Sequence, residues 1–103
     1  MYIVVLVTAK TKLEAQKIAA SLVKHKLVAC VNIIDKIDSV FFWAGKIDQA
    51  RESLLVIKSK KEKLSKIIKL VKSLHSYEVP EIIALPIISG DAPYLRWIDA
   101  ALR

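Results

Sequence analysis

The sequence predicts an α+β fold: a ferredoxin-like βαββαβ sandwich, with one antiparallel sheet and a helix added at the C-terminus. Two observations carry the prediction. Apolar runs rich in β-branched residues alternate with helical stripes in the order strand, helix, strand, strand, helix, strand. Each helical stripe is also preceded by a Thr/Ser-x-x-Glu pattern, so the chain reads as two similar halves. Right-handed crossovers in both halves interleave the strands into one sheet with two helices on one face.

The elements follow in order. Tyr2–Val7 is a continuous β-branched run, expected of a strand buried on both faces. Thr11-Lys12-Leu13-Glu14 fits a capping box, and Ala15, Ile18, Ala19, Leu22 and Val23 form an apolar helical stripe that His25 and Lys26 close. Val28–Ile34 reads as a second strand. From Ile37 to Trp43 the chain is strand-like again, Ala44-Gly45-Lys46 supplies a turn, and a return strand runs from about Gln49 to Lys58. Ser59-Lys60-Lys61-Glu62 repeats the capping pattern before a second stripe of Leu64, Ile67, Ile68, Val71 and Leu74. Pro80 fixes its own φ and forces Val79 into an extended conformation, so no helix runs through to the fourth strand, Glu81–Ile88. Asp91 is then a good N-cap for a short helix lined by Tyr94, Leu95, Ile98 and Leu102.

Composition narrows the function. A chain of 103 residues is one domain, and its 54% hydrophobic content exceeds the ~45–50% of an average domain. No apolar run approaches the ~18 residues of a membrane helix, and the first residues lack the basic and small-residue features of a signal peptide. The surplus therefore predicts a homo-oligomer that hides apolar surface between subunits, consistent with bulky groups on both sides of Val40-Phe41-Phe42-Trp43. The single cysteine, Cys30, predicts a cytoplasmic protein without internal disulfides. The net charge of +7 is carried by lysines that alternate with Glu and Ser on helical polar faces, where solvation accounts for them. Nucleic-acid binding by an RRM-like sheet needs exposed aromatics on the central strands, and YIVVLV and ESLLVIKS do not supply them. With two glycines in the chain there is no phosphate-cradling loop, and no nucleophile-base signature is present, so no enzymatic activity is expected.

Five blocks, LVACVNII (27–34), SVFFWAGKI (39–47), ESLLVIKS (52–59), HSYEVPEIIALPI (75–87) and YLRWI (94–98), resemble the CutA divalent-cation tolerance family in order and spacing. The resemblance implies a cytosolic homotrimer of ferredoxin-like subunits, assembled like PII signalling proteins, that acts in tolerance of copper and other divalent cations. Phe41 and Ala44 stand where the family commonly has Tyr and Glu, and Ser76 replaces the usual Pro of His-Pro-Tyr-Glu. Val7 and Leu74 stand where some members carry further copper-ligating Cys and His. The implied metal binding is accordingly weak: no obligatory cofactor, and Cu(II) or another divalent cation held labilely.

The candidate ligands are His75, Cys30 and Glu78, since borderline and soft cations prefer imidazole and thiolate. Glu81 is a further carboxylate near them. The competing reading makes His75 the electrostatic end of the second helix and Cys30 a small buried hydrophobe. A second functional class is a PII-like regulatory module with a small-molecule cleft or subunit interface lined by Trp43, Lys58, Tyr77, Glu81 and Trp97, because aromatics with a few polar groups suit such pockets.

Overall fold

The structure, a computed structural model, describes residues 1–103. Its elements are β1 (Tyr2–Ala9), α1 (Lys12–Lys24), β2 (Cys30–Trp43), β3 (Lys46–Lys60), α2 (Leu64–Leu74), β4 (Ile82–Pro86) and α3 (Ala92–Ala101), with a single 3-10 turn, Lys61–Lys63, before α2. The strands form one antiparallel sheet in the order β2-β3-β1-β4. This is the expected ferredoxin-like arrangement.

Strand alternation divides the sheet into two unlike faces. Ile3, Val5 and Val7 of β1, with Leu55 and Ile57 of β3, point to one side and are buried against Ala15, Ile18 and Leu22 of α1 and Ile67 and Val71 of α2. The opposite face carries Tyr2, Val4 and Leu6 beside Lys60, Lys58 and Val56. The sequence left this face without a helix, but α3 covers one end of it. Asp99 on α3 accepts from the Tyr2 hydroxyl at 2.6 Å and lies 2.9 Å from the Lys60 ammonium, and Ile98 of the same helix is fully buried.

Local chemistry sets the element ends. Thr11 caps α1 by accepting the Glu14 amide at 3.1 Å. The reciprocal half of the expected box is missing, because the Glu14 side chain turns to His75 instead. At the other end Leu27 N–H returns to Leu22 O and Lys26 N–H to Val23 O, with Lys26 at φ 55°. These are the paired bonds of a Schellman ending, with lysine where glycine is usual. The second predicted capping box does not form. Ser59 is buried at the end of β3 and donates to Leu27 O at 2.7 Å, while α2 starts through the 3-10 turn with no side-chain cap. Strand alternation turned Ser59 inward, so a tertiary partner outcompeted the local one. The Asp91 cap of α3 forms as expected, accepting Tyr94 N–H at 3.2 Å.

The two strand segments read at 28–34 and 37–43 are one strand, β2, with a register irregularity between Ile34 and Ile37 and Lys36 at φ 60°. The fourth strand is shorter than expected. It ends at Pro86, tolerable because β4 is an edge with only β1 as neighbour. The β2–β3 hairpin outruns the rest of the sheet. β1 pairs with β3 only from Ser53 to Lys60, so Lys46–Glu52 and its partners Ile37–Trp43 form a bare two-stranded ribbon. That ribbon gives the molecule its long axis of 44 Å against 25 and 22 Å. Val40, Phe42, Trp43 and Ile47 on it are 61–72% exposed.

Candidate functional site

His75 follows the last residue of α2 and leaves the helix with an extended backbone, φ −82° and ψ 140°. Its side chain is 0% exposed. The Nε2 atom lies 2.7 Å from the carbonyl of Thr8 on β1, and Nδ1 takes the backbone N–H of Tyr77 at 3.0 Å. An amide can only donate, so Nδ1 is an acceptor and the neutral ring donates from Nε2–H to Thr8. Both ring nitrogens are thus spent on the backbone.

Two carboxylates and a phenol complete the cluster. Glu14, from the first turn of α1, brings Oε1 to 3.6 Å from His75 Nδ1, and this oxygen is buried with no hydrogen-bond donor. The Tyr77 ring lies 4.8 Å from the imidazole, and its hydroxyl donates to Glu52 of β3 at 2.7 Å. Glu52 is 8% exposed although it sits at the root of the exposed ribbon. Burial first, then the hydrogen bond to the Glu52 carboxylate, holds the Tyr77 phenol well above its ordinary value of 10.0. The cluster joins α1, β1, β3 and the end of α2 where the ribbon leaves the sheet. Here Tyr77 is a proton donor, and a cation reaches a His75 nitrogen only by displacing Thr8 O or Tyr77 N–H.

The other candidates fall in different places. Cys30 opens β2, half-buried, opposite Lys58 in the register, and its Sγ lies 3.8 Å from Asn32 Oδ1, which Lys58 Nζ also contacts. Lys58 in turn pairs with Val4 of β1, whereas His75 bonds to Thr8. Four residues of strand, about 13 Å, therefore separate the two levels, so one chain does not bring Cys30 and His75 together. Glu78 and Glu81 are exposed on either side of Val79-Pro80. Trp43 sits beside the hairpin turn, twelve β3 positions from Lys58, or about 40 Å. Trp97 lies on α3 with its ring centroid 5.5 Å from that of Tyr94. Trp43 and Lys58 can thus line one cleft only when different subunits supply them. The chain holds no group of three or more His, Cys, Asp or Glu side chains placed to share a metal ion.

Sequence reasoning did not single out Glu52, and it read Glu14 only as a capping residue. A signal for Glu52 was present: it is the one carboxylate at the head of the apolar run SLLVIKS. For Glu14 there was none, because a capping residue and a buried site residue look alike in sequence.

The family model of the CutA1 divalent ion tolerance protein matches residues 3–101. The chain is 44% identical over 101 residues to "Protein CutA 1, chloroplastic" of Oryza sativa, covering 98% of this chain and 57% of that protein. It is 37% identical to "Divalent-cation tolerance protein CutA" of Escherichia coli, covering 98% of this chain and 90% of that one. It spans only about three-fifths of the first curated relatives, including 61% of the Xenopus laevis "Protein CutA homolog". Among solved structures, the fold superposes on the CutA of Archaeoglobus fulgidus, called periplasmic, with a TM-score of 0.97, at 41% identity and over 100% of both chains. The Thermus thermophilus Cut A1 protein gives 0.94 at 42% identity over 95% of each.

Proposed function

Because the chain belongs to the CutA1 divalent ion tolerance family, we propose that it serves in tolerance of divalent cations as a non-enzymatic homotrimer whose metal binding is labile. The observation that carries the labile character is the state of His75. Both of its nitrogens already bond the backbone, so Cu(II) or a similar cation must break an internal hydrogen bond to bind there. Borderline cations favour imidazole strongly, but exchange against an existing bond leaves a small net gain. Glu78, exposed three residues on, and Cys30, brought from a neighbouring subunit, are the secondary ligands in this reading.

Self-association is supported by the ribbon. A bare two-stranded hairpin is marginal in water, yet this one is long and its apolar side chains face solvent in the single chain. The outer edge of β2 is likewise unpaired along its length. A neighbouring subunit seated on both would satisfy them, and a closed ring of three copies does so for every subunit. No helix is long and apolar enough to cross a membrane. A cytosolic setting is supported by the single unpaired cysteine.

Cu(II) and Zn(II) calorimetry with light scattering on the purified protein tests this. We expect a trimer, weak binding that a chelator reverses, and weaker binding still in His75→Gln. Unchanged titrations in that variant remove His75 from the site, a monomer at micromolar concentration sinks the trimer, and metal that survives chelation sinks the labile reading.

A further inference from the structure

Away from His75, at the C-terminal end of α3, a shallow, open cavity of about 360 Å³ is lined by Lys60, Glu62, Lys63, Asp99, Leu102 and Arg103. This is within the ~300–1,000 Å³ of small-molecule sites. Each of its two carboxylates has a cation beside it, although Asp99 Oδ1 is buried without an aligned hydrogen bond. Asp99 takes the Tyr2 hydroxyl at 2.6 Å and the Lys60 ammonium at 2.9 Å, and Glu62 lies 3.6 Å from Lys60 and 3.5 Å from the amino terminus. Lys63 is half-buried and Arg103 exposed, and neither ends on a carboxylate. Three cationic side chains against two carboxylates leave the cavity with one positive charge in excess.

We propose that this cavity binds a small multivalent anion of the phosphate class, with Lys63 and Arg103 as its charge-bearing contacts. Lys63 and Arg103 carry charges that no carboxylate of this chain takes up, so an anion seated between them gains two ion pairs without breaking one. A guanidinium fork can meet two phosphate oxygens at once, while the lysine adds a point charge. Lys60 is fixed by Asp99 and rests 5.5 Å from the centre of the Tyr2 ring, so it contributes field without needing to be ordered on binding. Buried Leu102 gives an apolar floor for whatever carries the phosphate. The same charges repel a divalent cation, which separates this site from the metal chemistry proposed above.

Pyrophosphate is the probe, read by calorimetry and by amide chemical shifts on the wild-type protein. Saturable binding is expected, with shifts concentrated at Lys63, Asp99 and Arg103. Lys63→Gln and Arg103→Gln should each weaken binding roughly tenfold, the loss of one charge-assisted contact. Lys72→Gln, an equal change of charge on exposed α2, should leave it unchanged. Shifts dispersed over the lysine-rich surface, or an equal loss in Lys72→Gln, would mean unspecific charge attraction and overturn the proposal. So would no saturation at millimolar pyrophosphate. A single-stranded oligonucleotide that binds more tightly per phosphate, with the same dependence on Lys63 and Arg103, would also overturn it and replace the small ligand with nucleic acid.

Discussion

The Tyr77 hydroxyl donates to the Glu52 carboxylate at 2.7 Å, bridging the segment after α2 to the root of the β2–β3 ribbon. Glu52 has little other access to water, so this phenol stabilises a carboxylate that the fold has otherwise desolvated. Tyr77→Phe keeps the ring and removes the donor. It should destabilise the protein by about 1–3 kcal/mol, the usual cost of a buried acceptor left unmatched, measured by urea unfolding at fixed protein concentration.

The same bond predicts an alkaline limb. The folded Tyr77 phenol ionises above its ordinary value, so the unfolded chain releases this proton first as pH rises. Stability from Tyr77 is thus complete below pH ~10 and declines as pH climbs towards the folded value. Tyr2, through its bond to Asp99, and Tyr94, through burial, are raised in the same direction. Tyr77→Phe should therefore reduce the fall in stability between pH ~10 and ~12 without abolishing it. An identical alkaline slope in the variant would contradict the assignment.

Asp99 predicts the acid limb with the opposite sign. Its carboxyl is lowered by hydrogen bonds from Tyr2 and then Lys60, with burial opposing them. The stability it adds is present above the unfolded carboxylate range near pH ~4 and is lost as pH falls through the lower folded value. Asp99→Asn should lower the neutral-pH melting temperature and make the acid limb shallower. It should also bring Tyr2 phenolate absorbance to lower pH, because the same carboxylate holds that phenol up. Loss of stability with no change in either titration would make Asp99 a packing residue only.

Ser59 shows where the sequence was legible and where it was not. The apolar runs and helical stripes located the sheet and the helices, with β2 read as two segments and β4 as too long, because burial of Val5, Ile57, Ile18 and Ile67 leaves a pattern along the chain. The capping pattern at Ser59 is local in form but was decided by distance: the inward-facing hydroxyl met Leu27 O, thirty-two residues away. The candidate site divides the same way. His75 and Tyr77 stood out because they are close in sequence, while Glu14 and Glu52 joined them only through the packing of α1 and β3. Ser59→Ala should then cost about 1 kcal/mol of global stability while leaving the helical circular dichroism of the folded protein unchanged. A true cap would instead fray α2 and lower the helical signal.

The hairpin turn carries a correctable strain. Ala44 and Gly45 stand at φ 52° and 76°, both positive as a type I′ turn between twisted strands demands. Glycine meets that demand freely, but alanine in the left-handed region costs about 1–2 kcal/mol because its Cβ crowds the following carbonyl. Ala44→Gly relieves the clash and gives back part of the gain as extra entropy of the unfolded chain, about 0.4–1 kcal/mol. The net expectation is a stabilisation of about 0.5–1 kcal/mol. It should appear chiefly as slower hydrogen exchange of the ribbon amides around Val40 and Gln49, since these residues pair with no strand outside the hairpin. Lys26, at φ 55° in the ending of α1, offers an internal comparison, and Lys26→Gly should protect the last turn of α1 while leaving the ribbon untouched. If Ala44→Gly loosens the ribbon instead, the positive φ at Ala44 is not a strain, and contacts with a neighbouring subunit are what hold the turn in place.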